Sequence, residues 1–331
     1  MIRRLSDDSA RASLGAMLLV LMFGCHDGAE GGIGTPCEYL SKPCRAGFVC
    51  IAGRCQPHDS IGAHPPCKHT QPFTTVAVIP VIGAAENALP GKPLFDAAAR
   101  LSPDELQIYF TSAREGESQI YEGFRETRFE TFGVWFTAWP PSTMLDLNPS
   151  VSGDQLTMFV ESSSGAGGST IRMTRRDTST ARWLTPIEFA PLAHAPPITD
   201  GMPYVLPKGD VLYFQSNREG SSHIFRTARD ENGTWSAPER ALTFDEEPEL
   251  SPVVTEDETT VYYATENDVW VAWREPGDHS PPAVRTPVEG INTDMDETPS
   301  WISPDACRLY FSRRMAKTGN SQIYLAERTP D

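Results

Sequence analysis

The chain repeats itself. One phrase recurs five times between residues 96 and 328, and a long internal period limits the fold more tightly than composition does. Each copy opens on an acid: DAAA (Asp96), DLNP (Asp146), DGMP (Asp200), ELSP (Glu249) and DETP (Asp296). A turn follows, read as SPD (Asp104), SGD (Asp154), KGD (Asp210), TED (Asp257) and SPD (Asp305). Next comes a short strand, QIYF, LTMF, VLYF, TVYY or RLYF. A second strand leads to an arginine: IYEGFR (Arg125), IRMTRR (Arg176), IFRTAR (Arg229), VWVAWR (Arg274) and IYLAER (Arg328). The opening acids lie 50, 54, 49 and 47 residues apart.

Four short strands in ~40–50 residues is the size of one propeller blade. A single blade leaves both faces of its sheet in water, whereas blades packed around an axis bury them and protect their edges. The expected fold is therefore all-β, a β-propeller over 73–331. The last copy ends without a closing strand, and FTTVAVIPVIG (Phe73–Gly83) precedes the first copy as a strand without a partner. Pairing the two gives five blades. Six is the alternative, if residues 73–95 begin a partial blade.

Copy five carries the phrase most fully, as INTDMDETPSWISPDACRLYFSRR followed by QIYLAER. It resembles the WD40-like, TolB-type β-propeller repeat, and the resemblance covers residues 73–331. Ala306 stands where that repeat usually has Gly. The resemblance implies a propeller, and by analogy protein–protein contact in a cell envelope.

The region before the propeller reads as export machinery. Residues 1–24 have Arg3 and Arg4 and then an apolar run, Leu14–Gly24, too short to span a bilayer comfortably. The run ends in Met22-Phe23-Gly24-Cys25, which resembles a bacterial lipobox with Cys25 as the lipidated residue. An ordinary cleaved signal and an uncleaved anchor are the alternatives. Residues 25–36 are a Gly-rich tether. Cys37, Cys44, Cys50 and Cys55 make a small module over 37–55, too small for a core and so expected to be held by two disulfides of open connectivity. It lacks a C-x2-C pair, which weighs against zinc. A Pro/His linker, 56–72, carries Cys67, whose expected partner is Cys307.

The net charge of −16 and the absence of a basic run argue against nucleic acid. Repetition could set the five acids in a ring of carboxylates at one channel mouth, able to hold a cation. Turn capping, or pairing with the repeated arginines, is the favoured reading, and no metal or cofactor is expected. No G-x-S-x-G, H-E-x-x-H or G-x-x-x-x-G-K-[ST] motif occurs. His194, His223 and His279 fall in separate copies and read as loop or surface residues. The leading expectation is a non-enzymatic, lipid-anchored envelope scaffold. It would offer a propeller face to a protein, peptide or polysaccharide, in an oligomeric state the sequence leaves open. The alternative is a carbohydrate-active hydrolase or lyase with carboxylates at the mouth.

Overall fold

A computed structural model describes residues 48–51, 54–57, 67–79 and 95–329, apart from positions 115, 129, 141–143, 164–167, 245–246, 277, 279 and 316–317. The signal, the tether, Cys25, Cys37, Cys44 and His279 lie outside the described residues. Strands β1 (Phe48–Ile51) and β2 (Arg54–Pro57) pair as a hairpin that sets Cys50 opposite Cys55.

The remaining strands form five antiparallel sheets of four. Blade 1 holds β4 (Asp96–Leu101), β5 (Gln107–Ser112), β6 (Gln119–Phe124) and β7 (Gly133–Thr137). Blade 2 holds β8 (Leu145–Val151), β9 (Thr157–Ser163), β10 (Ser169–Arg175) and β11 (Ile187–Glu188). Blade 3 holds β12 (Asp200–Val205), β13 (Val211–Glu219), β14 (Ser221–Ala228) and β15 (Glu239–Arg240). Blade 4 holds β16 (Leu250–Val254), β17 (Thr260–Thr265), β18 (Asp268–Trp273) and β19 (Val284–Pro287). Blade 5 holds β20 (Asp296–Ile302), β21 (Arg308–Arg314), β22 (Ser321–Glu327) and β3 (Thr75–Val78). The ring therefore closes between the two ends of the propeller, as the unpaired run at Phe73 predicts.

The second strand of each blade carries fully buried side chains on both faces, because neighbouring blades cover them. Tyr109, Phe110, Tyr213, Phe214, Tyr262, Tyr263, Tyr310 and Phe311 are all within 1% of complete burial. Each such ring contributes about 1.5–3 kcal/mol of transfer free energy.

The turn between the first two strands is built by its own side chains. Asp104 Oδ1 accepts from Ser102 Oγ (2.5 Å) and from the Leu106 amide (3.1 Å), while Ser102 Oγ accepts from the Gln107 amide (2.9 Å). Ser152/Asp154, Thr255/Asp257 and Ser303/Asp305 repeat this arrangement. Glu105, Gln155, Glu258 and Ala306 then take positive φ, between 54° and 63°. Blade 3 differs from the expected KGD turn. The Leu206 amide bonds the Val211 carbonyl, which makes Leu206-Pro207-Lys208-Gly209 the equivalent turn. Gly209 (φ 75°) supplies the left-handed residue, so no side-chain clamp is required, and Asp210 sits two positions later. Blade 2 also shifts by one, its strand being Thr157-Met158-Phe159-Val160 rather than LTMF.

Closure has three parts. β3 pairs with β22 from Thr75↔Glu327 to Val78↔Tyr324. Gly290 lies against the carbonyl of Phe73, where any Cβ would collide, and its φ is 87°. Cys67 and Cys307 are joined by a disulfide that spans 240 residues of sequence. His69 also stacks on Trp273 of blade 4, with ring centroids 4.4 Å apart.

Candidate functional site

The repeated arginines are seam latches. Arg176 Nε donates to the Gln155 carbonyl (2.6 Å), and its Nη2 donates to Tyr109 Oη of the preceding blade (2.7 Å). Arg328 does the same with the Ala306 carbonyl (2.9 Å) and Tyr262 Oη (2.7 Å). Arg125 reaches the Glu105 carbonyl (2.7 Å) and Tyr310 Oη (3.4 Å), and Arg274 the Glu258 carbonyl (2.7 Å) and Tyr213 Oη (3.5 Å). Each left-handed turn residue thus presents its carbonyl to the arginine of its own blade. Glu105 adds its carboxylate, which accepts from Tyr310 Oη (2.7 Å) and Arg308 Nε (2.6 Å). Burial pushes the Tyr109 and Tyr310 phenols well above their ordinary range, so they remain donors. The fifth seam lacks this latch. Phe159 occupies the tyrosine position, and Arg229 is exposed, lying over Trp235 at 5.8 Å. The four tyrosines are the residues that sequence reasoning missed. Their signal was the Y of the second strand, absent only from copy two.

The opening acids do not pair with these arginines, contrary to one of the expectations. Asp96 accepts from Arg114 Nη2 at 3.0 Å. Asp146 accepts from Trp139 Nε1 (3.0 Å) and from Ser162 Oγ. Asp200 takes Arg218 on both oxygens (3.0 and 2.9 Å), with His194 Nε2 at 3.3 Å. Glu249 accepts the amides of Ile224 (3.1 Å) and Phe244 (3.2 Å), with His223 Nδ1 at 3.6 Å. His223, which read as a loop or surface residue, is buried on a strand, whereas His194 lies in a loop as expected and packs beside Asp200. Burial pushes Glu249 up to about 7.

The fifth member of the ring is Glu297, not Asp296. Glu297 lies opposite Arg313, in the register that Asp96 holds with Ser112, and is fully buried. It takes Arg313 Nε at 2.7 Å. Asp296 lies one residue earlier and pairs with a half-exposed Arg314 at 2.8 Å. The cause is spacing: four opening acids stand six residues before the first residue of the turn, as Asp96 does before Ser102, whereas Asp296 stands seven before Ser303. Ala98, Asn148, Met202 and Ser251 take positive φ (48–54°) two residues after their acid. In blade 5 that place is Pro299, whose ring fixes φ near −65°, and the bulge there lies between Pro299 and Trp301.

Beside this ring opens a cavity of about 400 Å³, lined by Ala97, Ala98, Asn148, Met202, Ser251 and Glu297 among others. Arg100 forms part of its wall and also reaches a second cavity of about 40 Å³ towards the turns. Its guanidinium lies over the Tyr204 ring at 4.8 Å. At the wide mouth Glu266 is raised, first by its hydrogen bond with Glu247. Among the described residues, no group of three or more His, Cys, Asp or Glu side chains is arranged to hold a metal ion.

No protein-family model matches the chain, and no curated protein matches it by sequence. Solved structures do. A thermostable family-43 glycoside hydrolase aligns with a TM-score of 0.51 at 10% identity, over 72% of this chain and 91% of that one. TolB from Acinetobacter baumannii aligns at 0.43 with 16% identity, over 72% of this chain and 55% of its own length, so this chain spans about half of that protein. The α-L-arabinofuranosidase PaAbf62A from Podospora anserina aligns at 0.49 with 10% identity, over 80% and 99%. At such identities the likeness concerns the fold.

Proposed function

We propose that the chain is a non-enzymatic binding scaffold, exported and held at a membrane through Cys25, which presents a face of its propeller to an envelope partner. One observation carries the reading. Every acid of the ring is buried and already engaged by arginine, indole or backbone donors. Side chains so held are committed to the blades, and burial raises Glu249 to about 7 without freeing it from its amide donors. The outer edge of blade 1 adds a surface for a partner. Phe124 and Phe136 are both 39% exposed, with ring centroids 6.1 Å apart, and exposed paired aromatics mark contact surfaces. Photo-cross-linking from position 136 in cells should give a discrete protein adduct that is lost on adding F124E. An adduct unaffected by F124E, or no adduct, counts against this surface. Intact mass of the mature chain tests the anchor, with an acylated start at Cys25 expected.

A second reading rests on Glu266 and Glu247. Glu266 shares a hydrogen bond with Glu247 at the rim, so it holds its proton more tightly and could serve as a general acid on a glycan. Glycan turnover abolished by E266Q would carry it.

A further inference from the structure

Arg100 is the anomaly of the channel. It is 5% exposed, yet no carboxylate among the described residues pairs with it. Arg114, Arg125, Arg176, Arg308 and Arg313 are each within 4 Å of one. Arg100 Nη2 donates to the Pro203 carbonyl (3.1 Å), Nη1 reaches the Ala99 carbonyl only at 3.5 Å, and buried Nε has no partner. The residues at the same place in the other blades are Ser150, Tyr204, Val253 and Trp301, so the layer holds one positive charge and no negative one. A buried guanidinium without a counter-ion is costly, because its hydration is lost and the Pro203 carbonyl and the Tyr204 ring replace only part of it. Burial accordingly pulls Arg100 down to about 10.

Copy one also makes room above this charge. Its DAAA places Ala97 and Ala98 where copy two has Leu147 and Asn148, and copy four Leu250 and Ser251. The resulting 400 Å³ could hold roughly a dozen waters. Its walls are rich in amides and hydroxyls, including Asn148, Ser251, Asn267, Ser312 and Ser321. Of the acids on the same wall, Asp296 and Glu297 are neutralised by Arg314 and Arg313, and Glu266 stands at the rim, raised by its hydrogen bond with Glu247.

We infer that this cavity binds a sugar acid of monosaccharide size, its carboxylate on Arg100 and its hydroxyls on the surrounding amides, hydroxyls and carboxylates. A carboxylate offers a guanidinium two parallel acceptors, which neutral sugars lack. The narrower cavity below, about 40 Å³, is too small for such a ligand. Docking of a macromolecular partner does not depend on this site, so failure here leaves that reading intact.

Thermal unfolding of the full mature chain with glucuronate, glucose or acetate tests the site. Glucuronate at tenfold its Kd should raise Tm by roughly 3 °C. Glucose should leave Tm unchanged, and acetate should act only at far higher concentration. A97L should fold as the native chain does, since leucine is native at this place in copies two and four, and should lose the glucuronate shift by filling the cavity. R100Q should lose it too. A native chain that does not distinguish glucuronate from glucose overturns the site. So does a shift that survives A97L. Acetate as effective as glucuronate overturns the sugar-acid assignment.

Discussion

Arg229 lacks what the other four repeated arginines keep. Its tyrosine partner is replaced by Phe159, and the side chain has moved into solvent over Trp235. The covariation within one chain argues that arginine and tyrosine act as a unit. R176M should therefore be severe, costing about 3–5 kcal/mol, because it strands buried Glu122, now 3.0 Å from Arg176. Y310F should cost about 1–3 kcal/mol by leaving Glu105 and Arg125 short of a partner. R229M should leave the denaturant midpoint unchanged. Equal effects at positions 176 and 229 would contradict the latch. Glu249 supplies a pH dependence. Its folded pKa is raised to about 7, against ~4.3 in an unfolded chain, so the native state holds the proton more tightly. Stability then falls as pH rises from about 4.3 to about 7, by at most ~1.4 kcal/mol per pH unit. E249Q should flatten that slope in a series of Tm measurements, whatever it does to Tm itself.

Among the elements, closure carries the strongest expectations. The Cys67–Cys307 bond restrains a 240-residue loop in the unfolded chain, so C67S/C307S should cost about 3–5 kcal/mol. G290A should destabilise through both a positive φ and a clash with the Phe73 carbonyl, by ~1–3 kcal/mol, and should increase proteolysis near β3. Closure was legible in the sequence, because one strand was missing at the end of the repeat and one was spare at its start. The repeat letters also gave the four-strand blade. They failed where the backbone was solved in another way. Gly209 replaces the Ser–Asp clamp and so displaces the apparent turn to Asp210. Copy five holds one extra residue between its opening acid and its turn, so the ring position falls on Glu297 and not on Asp296. A motif shows which letters recur, but register is set by hydrogen bonds that span the sheet.

For the whole molecule, the channel decides function, and it was the least legible part. Arg100 occurs in one copy only, so no repeat could flag it, and its lack of a counter-charge depends on four residues from other blades. The acids that did recur are engaged by donors within the fold, which leaves Glu266, raised by its hydrogen bond with Glu247, as the carboxyl to test at the wide mouth. A binding scaffold and a glycan hydrolase differ in what that carboxyl does. Turnover of a panel of polysaccharides and aryl glycosides should therefore be measured with the mature chain and with E247Q/E266Q. The scaffold reading predicts no product above the protein-free blank from either. Product formed by the native chain and abolished in the double variant would contradict it.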